Sequence, residues 1–418
     1  MKSISFIISN FNTLKYAKWC YNSIRKNLGY VHEIVMLDDG SDDGTWEWLQ
    51  EVKETDANMV IHKNSKNVGI AYSYNKMVEL ANNEIICMLH PDMYVPPKFD
   101  EIMLKHMENY DFITPLRVEP NVGYPESVDK FLIDFGTRSE EFEEDKFIRW
   151  SEENSKENKG RVEQRMFFPW MTTKTLYDEV GGNDILFLKY MVDDDDFYLR
   201  VKNSNYRYTQ LFETAVYHMP SKSVRMREDG KNGENNPDFQ KQYLKSHRNF
   251  IRKWGKVPAG VWDENRDMVL PERYNVGFIA KNCTLQILGM IEPFCQNIYI
   301  EDRRIIMDYI NEEQPKTLFD LSQKIKPITQ QMNNDILIEF DCQKFTEGEL
   351  DAEKNIHQSL NFLSNISDII KDSGQIGVMQ YSHFGLDIKQ INDIGYNKWS
   401  DGGIQIKIED EVYGINFD

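Results

Sequence analysis

Short apolar runs such as Ile4-Ser5-Phe6-Ile7-Ile8 alternate with longer stretches whose apolar positions recur at helical spacing. Over the first 115 residues this pattern predicts strands at 4–9, 33–37, 59–62, 84–89 and 112–115. Between them it predicts helices at 14–28, at 45–53 with Thr45 as N-cap, at 71–81, and at 96–107 opening on Pro96. Strands that alternate with helices imply βαβ units. The expected class is therefore α/β, with a mostly parallel sheet covered by helices on both faces.

The rhythm breaks at 139–164, where Glu140, Glu141, Glu143, Glu144 and Asp145 cluster. That stretch is expected to be a solvated, partly helical acidic insertion or lid. Apolar character returns from Met166 to Tyr217. Residues 221–236 are polar and basic at Lys222, Arg225 and Arg227, a loop pattern, and a helix is expected at 238–254. Prolines and glycines between Val257 and Glu272 mark a junction, so 1–256 and 257–418 are expected as two domains. In the second, a strand-like run at 335–340 precedes a helix at 353–371, and Gly374 leads into Ile376-Gly377-Val378-Met379. This reads as a smaller accessory α/β unit.

The length of 418 residues suits two domains. The net charge of -19 argues against a nucleic-acid or anionic-membrane surface, which needs clustered Lys and Arg. A nucleotide remains compatible, because a metal can neutralise its phosphates. The five cysteines are odd in number, widely spaced and free of any CxxC pair, which suggests neither a zinc knuckle nor a redox dithiol and fits a reducing compartment. No apolar stretch is long enough to cross a bilayer, and Met1-Lys2-Ser3 leads straight into strand-like sequence, so a cytoplasmic location is expected.

Candidate chemistry sits at strand ends, where open α/β sheets bind ligands. The run Ile34-Val35-Met36-Leu37 ends in Asp38 and Asp39, and a carboxylate there can accept a hydrogen bond from an imide N–H such as that of uracil or guanine. Asp42 and Asp43 fit a turn-building role. Asp92, in Leu89-His90-Pro91-Asp92, can help hold a divalent cation on a diphosphate, while His90 reads equally as ligand or turn residue. Asp193-Asp194-Asp195-Asp196 precede apolar Phe197-Tyr198-Leu199 and so open a packed helix. One or two of the four can face a cleft, and their repulsion raises at least one pKa, which suits a general base. His218 closes the strand-like run 214–217 and reads as a metal ligand beside the basic loop.

These motifs, in this order, resemble the family 2 glycosyltransferases of the GT-A fold. Ser9-Asn10-Phe11-Asn12, Asp38-Asp39-Gly40-Ser41, Lys66-Asn67-Val68-Gly69 continuing to Asn75, and His90-Pro91-Asp92 at the place of the DXD motif carry the likeness. Gly181-Gly182, the Asp193–Asp196 block with Phe197 and Arg200, His218 and Lys253-Trp254-Gly255 complete it, over roughly 1–255. The resemblance implies inverting transfer of a sugar from a nucleotide-sugar donor, usually a UDP-sugar, to a hydroxyl of a glycan or other acceptor, with Mn2+ or Mg2+. It implies donor contacts from Asn10, Asn12, Asp38, Asp39, Asn67, Gly69 and Asn75, with Arg225 or Arg227 on the diphosphate. Asp92 and His218, with His90, would hold the metal. Asp194 matches the general base, with Asp193 as its competitor. His90 departs from the first acid of DXD, which keeps open a rival: a nucleotide- or glycan-binding protein that retains the fold without turnover.

Overall fold

The computed structural model describes residues 2–122, 130–220, 237–255, 257–258, 275–345, 380–383 and 386–390. Packing divides the chain into two units, one comprising 1–243 with 260–267 and the other 244–259 with 268–418. The division falls inside the helix expected at 238–254, earlier than the junction that its prolines and glycines suggest.

In the first unit, β1 (Ile4–Asn10), α1 (Leu14–Asn27), β2 (Glu33–Asp38), α2 (Thr45–Thr55), β3 (Met59–Lys63), α3 (Ile70–Leu80) and β4 (Ile85–Leu89) alternate as expected. There follow β5 (Met93–Tyr94), α4 (Phe99–His106), β6 (Phe112–Glu119), β7 (Lys130–Leu132) and α5 (Glu144–Glu157). The unit continues with β8 (Val162–Glu163), β9 (Trp170–Thr173), α6 (Lys174–Glu179), α7 (Asp193–Lys202) and β10 (Tyr208–His218), and α8 (Pro237–Trp254) comes next in the chain. One ten-stranded sheet runs β3-β2-β1-β4-β9-β6-β10-β5, with β7 beside β6 and β8 beside β10. It is mostly parallel; β9 lies antiparallel to β4 and β6, and β5 antiparallel to β10.

Side chains alternate across the sheet, so Phe6, Ile8 and Met36 pack on one face with Ala17, Leu49 and Phe99, while Ile7, Val35 and Leu37 pack on the other with Tyr74, Met77 and Phe197. Burial on both faces explains why these strands read as continuous apolar runs. Each fully buried aliphatic side chain of this kind contributes roughly 1.5–3 kcal/mol.

Three local differences from the sequence pattern have identifiable causes. Thr45 is the first helical residue and not the cap: Gly44 holds the cap position at φ 88°, and the Asp43 carboxylate accepts from the Thr45 N–H and hydroxyl. Helix α4 starts at Phe99 because Pro97 disfavours helical backbone at Pro96. Strand β6 runs through Pro115 to Glu119, and its register with β10 shifts between Leu211 and Ala215, next to the proline that lacks a ladder donor.

The acidic stretch 139–164 contains α5, whose Phe147 is fully buried against Phe135, Trp150 and Tyr217, while Asn154 donates to the Phe212 carbonyl. Its acids lie mostly on the outer side of this anchored helix.

The second unit holds β11 (Val276–Lys281), α9 (Leu285–Ile291), β12 (Asn297–Ile300), α10 (Arg303–Glu313), α11 (Leu321–Lys324), β13 (Ile325–Pro327), β14 (Ile336–Asp341), β15 (Gln380–His383) and β16 (Leu386–Gln390). Its six-stranded sheet runs β13-β12-β11-β14-β16-β15, the first four parallel and the last two antiparallel. A buried ionic cluster of Arg252, Glu292, Glu313 and Lys324 lies in this unit. The expected loop at 221–236, helix at 353–371 and segment at 374–379 lie outside the described residues, as do Arg225 and Arg227. Among the described residues no helix is long and apolar enough to cross a membrane.

Candidate functional site

The site lies where β1, β2, β4 and β10 end. In register, Asn10 on β1 stands beside Asp38 on β2. The Asn10 amide donates to the carbonyls of Ile8 and Leu37, and Asp38 Oδ1 accepts from the Ser41 N–H at 2.9 Å. That leaves Asn10 Oδ1 and Asp38 Oδ2 buried without a hydrogen-bond partner among the described residues. Unmet acceptors cost free energy unless a ligand donates to them.

Asp39 is employed differently. Its Oδ1 accepts from the Asn64 amide at 2.7 Å and the Val68 N–H at 3.0 Å, and its Oδ2 from the Gly69 N–H at 3.0 Å. Burial raises its pKa, and these bonds only partly offset the rise. Asn12 joins the loops after β1 and β2: its N–H donates to Ser41 Oγ, and its side-chain carbonyl accepts from the Asp42 N–H. Asn67, half-buried, lies in the loop that Asp39 ties down, and its backbone packs closely on Gly40.

Gly69 opens α3 at φ 100°, and a Cβ there would come within 2.7 Å of Lys189 Cα. The adjacent Ile70 N–H donates to the Lys189 carbonyl, so the start of α3 abuts the segment that leads into α7. Asn75 clamps the same region further back: its carbonyl accepts from Tyr177 Oη and the Asn183 N–H, and its amide donates to the Asn183 carbonyl. The structure thus gives Asp39, Gly69 and Asn75 hydrogen bonds and packing that hold loops in place.

A second group converges around the turn after β4. Asp92 is buried, and among the described residues its oxygens have no close hydrogen-bond partner, the nearest being His218. His218, opposite Met93 at the end of β10, brings Nε2 to 3.5 Å from Asp92 Oδ1. His90 stacks on Phe168 with ring centroids 3.9 Å apart. One ligand atom each from His90, Asp92 and His218 lie within 4.8 Å of one another. Two imidazoles and a carboxylate form a donor set able to hold a divalent metal ion.

Burial pushes the His90 imidazole down to about 4, with His218 and Arg117 adding to the shift and Asp92 opposing it. For His218, burial is outweighed by Asp92 and Glu119, which bring it up to about 9. Burial would also raise Asp92, but the charges of His218 and His90 hold it below the usual carboxylate range.

The Asp193–Asp196 block forms the first turn of α7, and the four acids separate into distinct surroundings. Asp196 is fully buried and accepts from the Arg200 guanidinium at 2.8 and 3.0 Å. Asp193 is buried, and burial together with the Asp194 charge pushes its pKa up. Asp195 is buried, whereas Asp194 is exposed, its Oδ1 accepting from the Asp195 N–H at 2.9 Å.

Sequence reasoning missed several neighbours. Glu119 pairs with His218, and the phenol oxygens of Tyr74 and Tyr198 are buried without partners among the described residues. Tyr74 stacks on Phe168, the ring that carries His90, and the charges of Asp193 and Asp92 both act on its phenol. Its place on the apolar face of α3 gave no signal of this.

Residues 5–163 match the family model described as Glycosyl transferase family 2. The chain is similar to a putative glycosyltransferase, EpsH, of Bacillus subtilis (strain 168), with 30% identity over 104 residues, 25% of this chain and 30% of the relative. It is also similar to an uncharacterized glycosyltransferase of Haemophilus influenzae, with 26% identity over 113 residues, 27% of this chain and 35% of the relative. The chain thus spans about a third of the length of these curated relatives. Among solved structures, it is similar to S. aureus TarS 1–349 in complex with UDP-GlcNAc, at 16% identity and a TM-score of 0.43, over 95% of this chain and 99% of that one. The mannosyltransferase PcManGT from Pyrobaculum calidifontis, in complex with GDP-Man and Mn2+, aligns at 15% identity and a TM-score of 0.41, over 61% of this chain and 65% of that one.

Proposed function

We propose that this chain, whose residues 5–163 match the family 2 glycosyl transferase model, is an inverting glycosyltransferase that moves a sugar from a nucleotide-sugar donor, a UDP-sugar by preference, to a hydroxyl of a glycan or other acceptor. The observation that carries this reading is the convergence of His90, Asp92 and His218 at the carboxyl edge of the sheet that also holds Asn10 and Asp38.

Asn10 Oδ1 and Asp38 Oδ2, buried acceptors without partners among the described residues, receive hydrogen bonds from the donor nucleoside, one from the base N–H and one from a ribose hydroxyl. His90, Asp92 and His218 hold a divalent cation, Mn2+ or Mg2+. When bound, it supplies positive charge against the negative charge that develops on the departing diphosphate. Arg225 and Arg227, assigned from sequence order alone, add cationic side chains to the same task.

Asp194 takes the proton from the acceptor hydroxyl. A general base must meet an incoming acceptor, and of the four acids in the α7 turn Asp194 is the exposed one. Asp193 has the raised pKa that suits a base, but its burial keeps it from an incoming acceptor and makes it the competitor. Asp196 is held by Arg200. The second unit is assigned an accessory role in acceptor binding or assembly.

A thermal-shift screen of UDP-, GDP- and other nucleotide sugars, with and without Mn2+, tests the donor assignment. A ligand that binds the native state raises the melting temperature, by an amount that grows with its concentration over Kd. A Mn2+-dependent rise with UDP-sugars is expected. A flat response to every nucleotide sugar in Mn2+ would refute the donor reading.

A further inference from the structure

Glu119 ends β6, and the parallel register that pairs Tyr217 with Val118 brings it beside His218 at the end of β10. Its Oε1 lies 2.7 Å from His218 Nδ1, while Lys130 Nζ donates to its Oε2 at 2.7 Å and Arg117 Nε lies 3.0 Å from Oε1. Glu119 is itself only 2% exposed. We infer that Glu119 is a positioning residue for the metal centre. It holds the Nδ1–H of His218, so that Nε2, once a metal displaces its proton, presents its lone pair to the space shared with His90 and Asp92.

The inference rests on the metal-site reading above, but its physical basis is local. An imidazole can present one nitrogen as a ligand only if the other keeps the proton, and the partner of that other nitrogen fixes both tautomer and ring rotation. Glu119 is an anionic acceptor at short distance on Nδ1, and Nε2 is the ring nitrogen that faces Asp92, at 3.5 Å. Arg117 and Lys130 grip the carboxylate from its other sides, so it cannot rotate away without breaking two ion pairs. β6 thus reaches the centre without contributing a ligand. The extension of that strand past Pro115 is what delivers Glu119 to the site.

The test compares wild type, Glu119→Gln and Lys130→Met, with Mn2+ alone as the probe. Free Mn2+ is titrated by its electron paramagnetic resonance signal, and the binding of the nucleotide in the absence of metal is measured in parallel. Positioning partners of this kind typically set metal affinity by about 10–100-fold. Glu119→Gln should therefore weaken Mn2+ binding at least about 10-fold while metal-free nucleotide binding stays unchanged, and Lys130→Met should keep most of the Mn2+ affinity. Equal Mn2+ affinity in wild type and Glu119→Gln would overturn the positioning role alone. Absence of Mn2+ binding in wild type would overturn the metal reading and this inference with it. Should Glu119→Gln not fold, nitrogen-15 histidine spectra of wild type with Zn2+ as a diamagnetic probe serve instead. They should show His218 protonated at Nδ1 with the metal on Nε2, and the reverse assignment would refute the inference.

Discussion

The Gly69 backbone N–H donates to Asp39 Oδ2 at 3.0 Å, so the second acid of the Asp38-Asp39 pair ties the end of β2 to the start of α3. With Asn64 and Val68 on its other oxygen, Asp39 has the bonding pattern of a loop anchor, while Asp38 keeps one buried oxygen unmet. Asp39→Asn places an amide where a buried N–H needs an acceptor, a loss of roughly 1–3 kcal/mol. Urea unfolding should show that loss for Asp39→Asn. For Asp38→Asn, calorimetry should show weakened nucleotide binding with a smaller change in stability.

Gly69 allows the approach of α3 to the segment before α7. Gly69→Ala should destabilise the fold by roughly 1–3 kcal/mol through overpacking against Lys189, in addition to its strain at φ 100°. The same variant should lower transfer activity more than nucleotide binding, because the displaced segment leads into the turn that carries Asp194. Urea titration and a radiolabelled transfer assay read the two effects.

The acids of α7 should separate by measurement as they do by environment. Asp194→Asn should retain the wild-type melting temperature and lose about 10²–10⁴-fold in kcat, the range of a general base. Asp196→Ala should lose about 3–5 kcal/mol of stability by leaving the buried Arg200 cation unpaired. A large stability loss in Asp194→Asn would contradict the division.

Stability of the second unit should fall in acid. Burial alone would raise the Glu292 carboxyl, but Lys324, Arg252 and Arg248 outweigh it and hold the carboxyl well below its usual 4.5. A carboxylate depressed in the folded state contributes stability above its unfolded pKa and loses it as pH falls toward the folded value. Unfolding free energy should therefore decline below about pH 4.5, the ordinary range for Glu. Glu292→Gln should be less stable at neutral pH and flatter with acid. Denaturant titrations across pH 3–7 check both, in about half-unit steps chosen to span that range.

Much of the first unit was legible because its strands are buried on both faces and its helices on one, which writes two distinct periods into the chain. The candidate site was legible where polar residues interrupt strand ends, as at Asp38, Asp92 and His218. Glu119 was hidden because Pro115 reads as the end of a strand that in fact continues past it. The different employment of Asp38 and Asp39 was hidden too, since adjacent acids look alike until the partners of each oxygen are known. His90 stood open between turn residue and ligand. Stacking on Phe168 brings it within reach of Asp92 and His218.

Turnover of a nucleotide sugar by the wild-type chain, followed as donor hydrolysis or transfer with Mn2+ present and after its removal by chelation, bears most directly on the proposed function. Metal-dependent turnover that Asp194→Asn abolishes is the expected result. Nucleotide binding without any metal-dependent turnover in wild type would contradict it, and would mark the chain as a binding protein on a transferase fold.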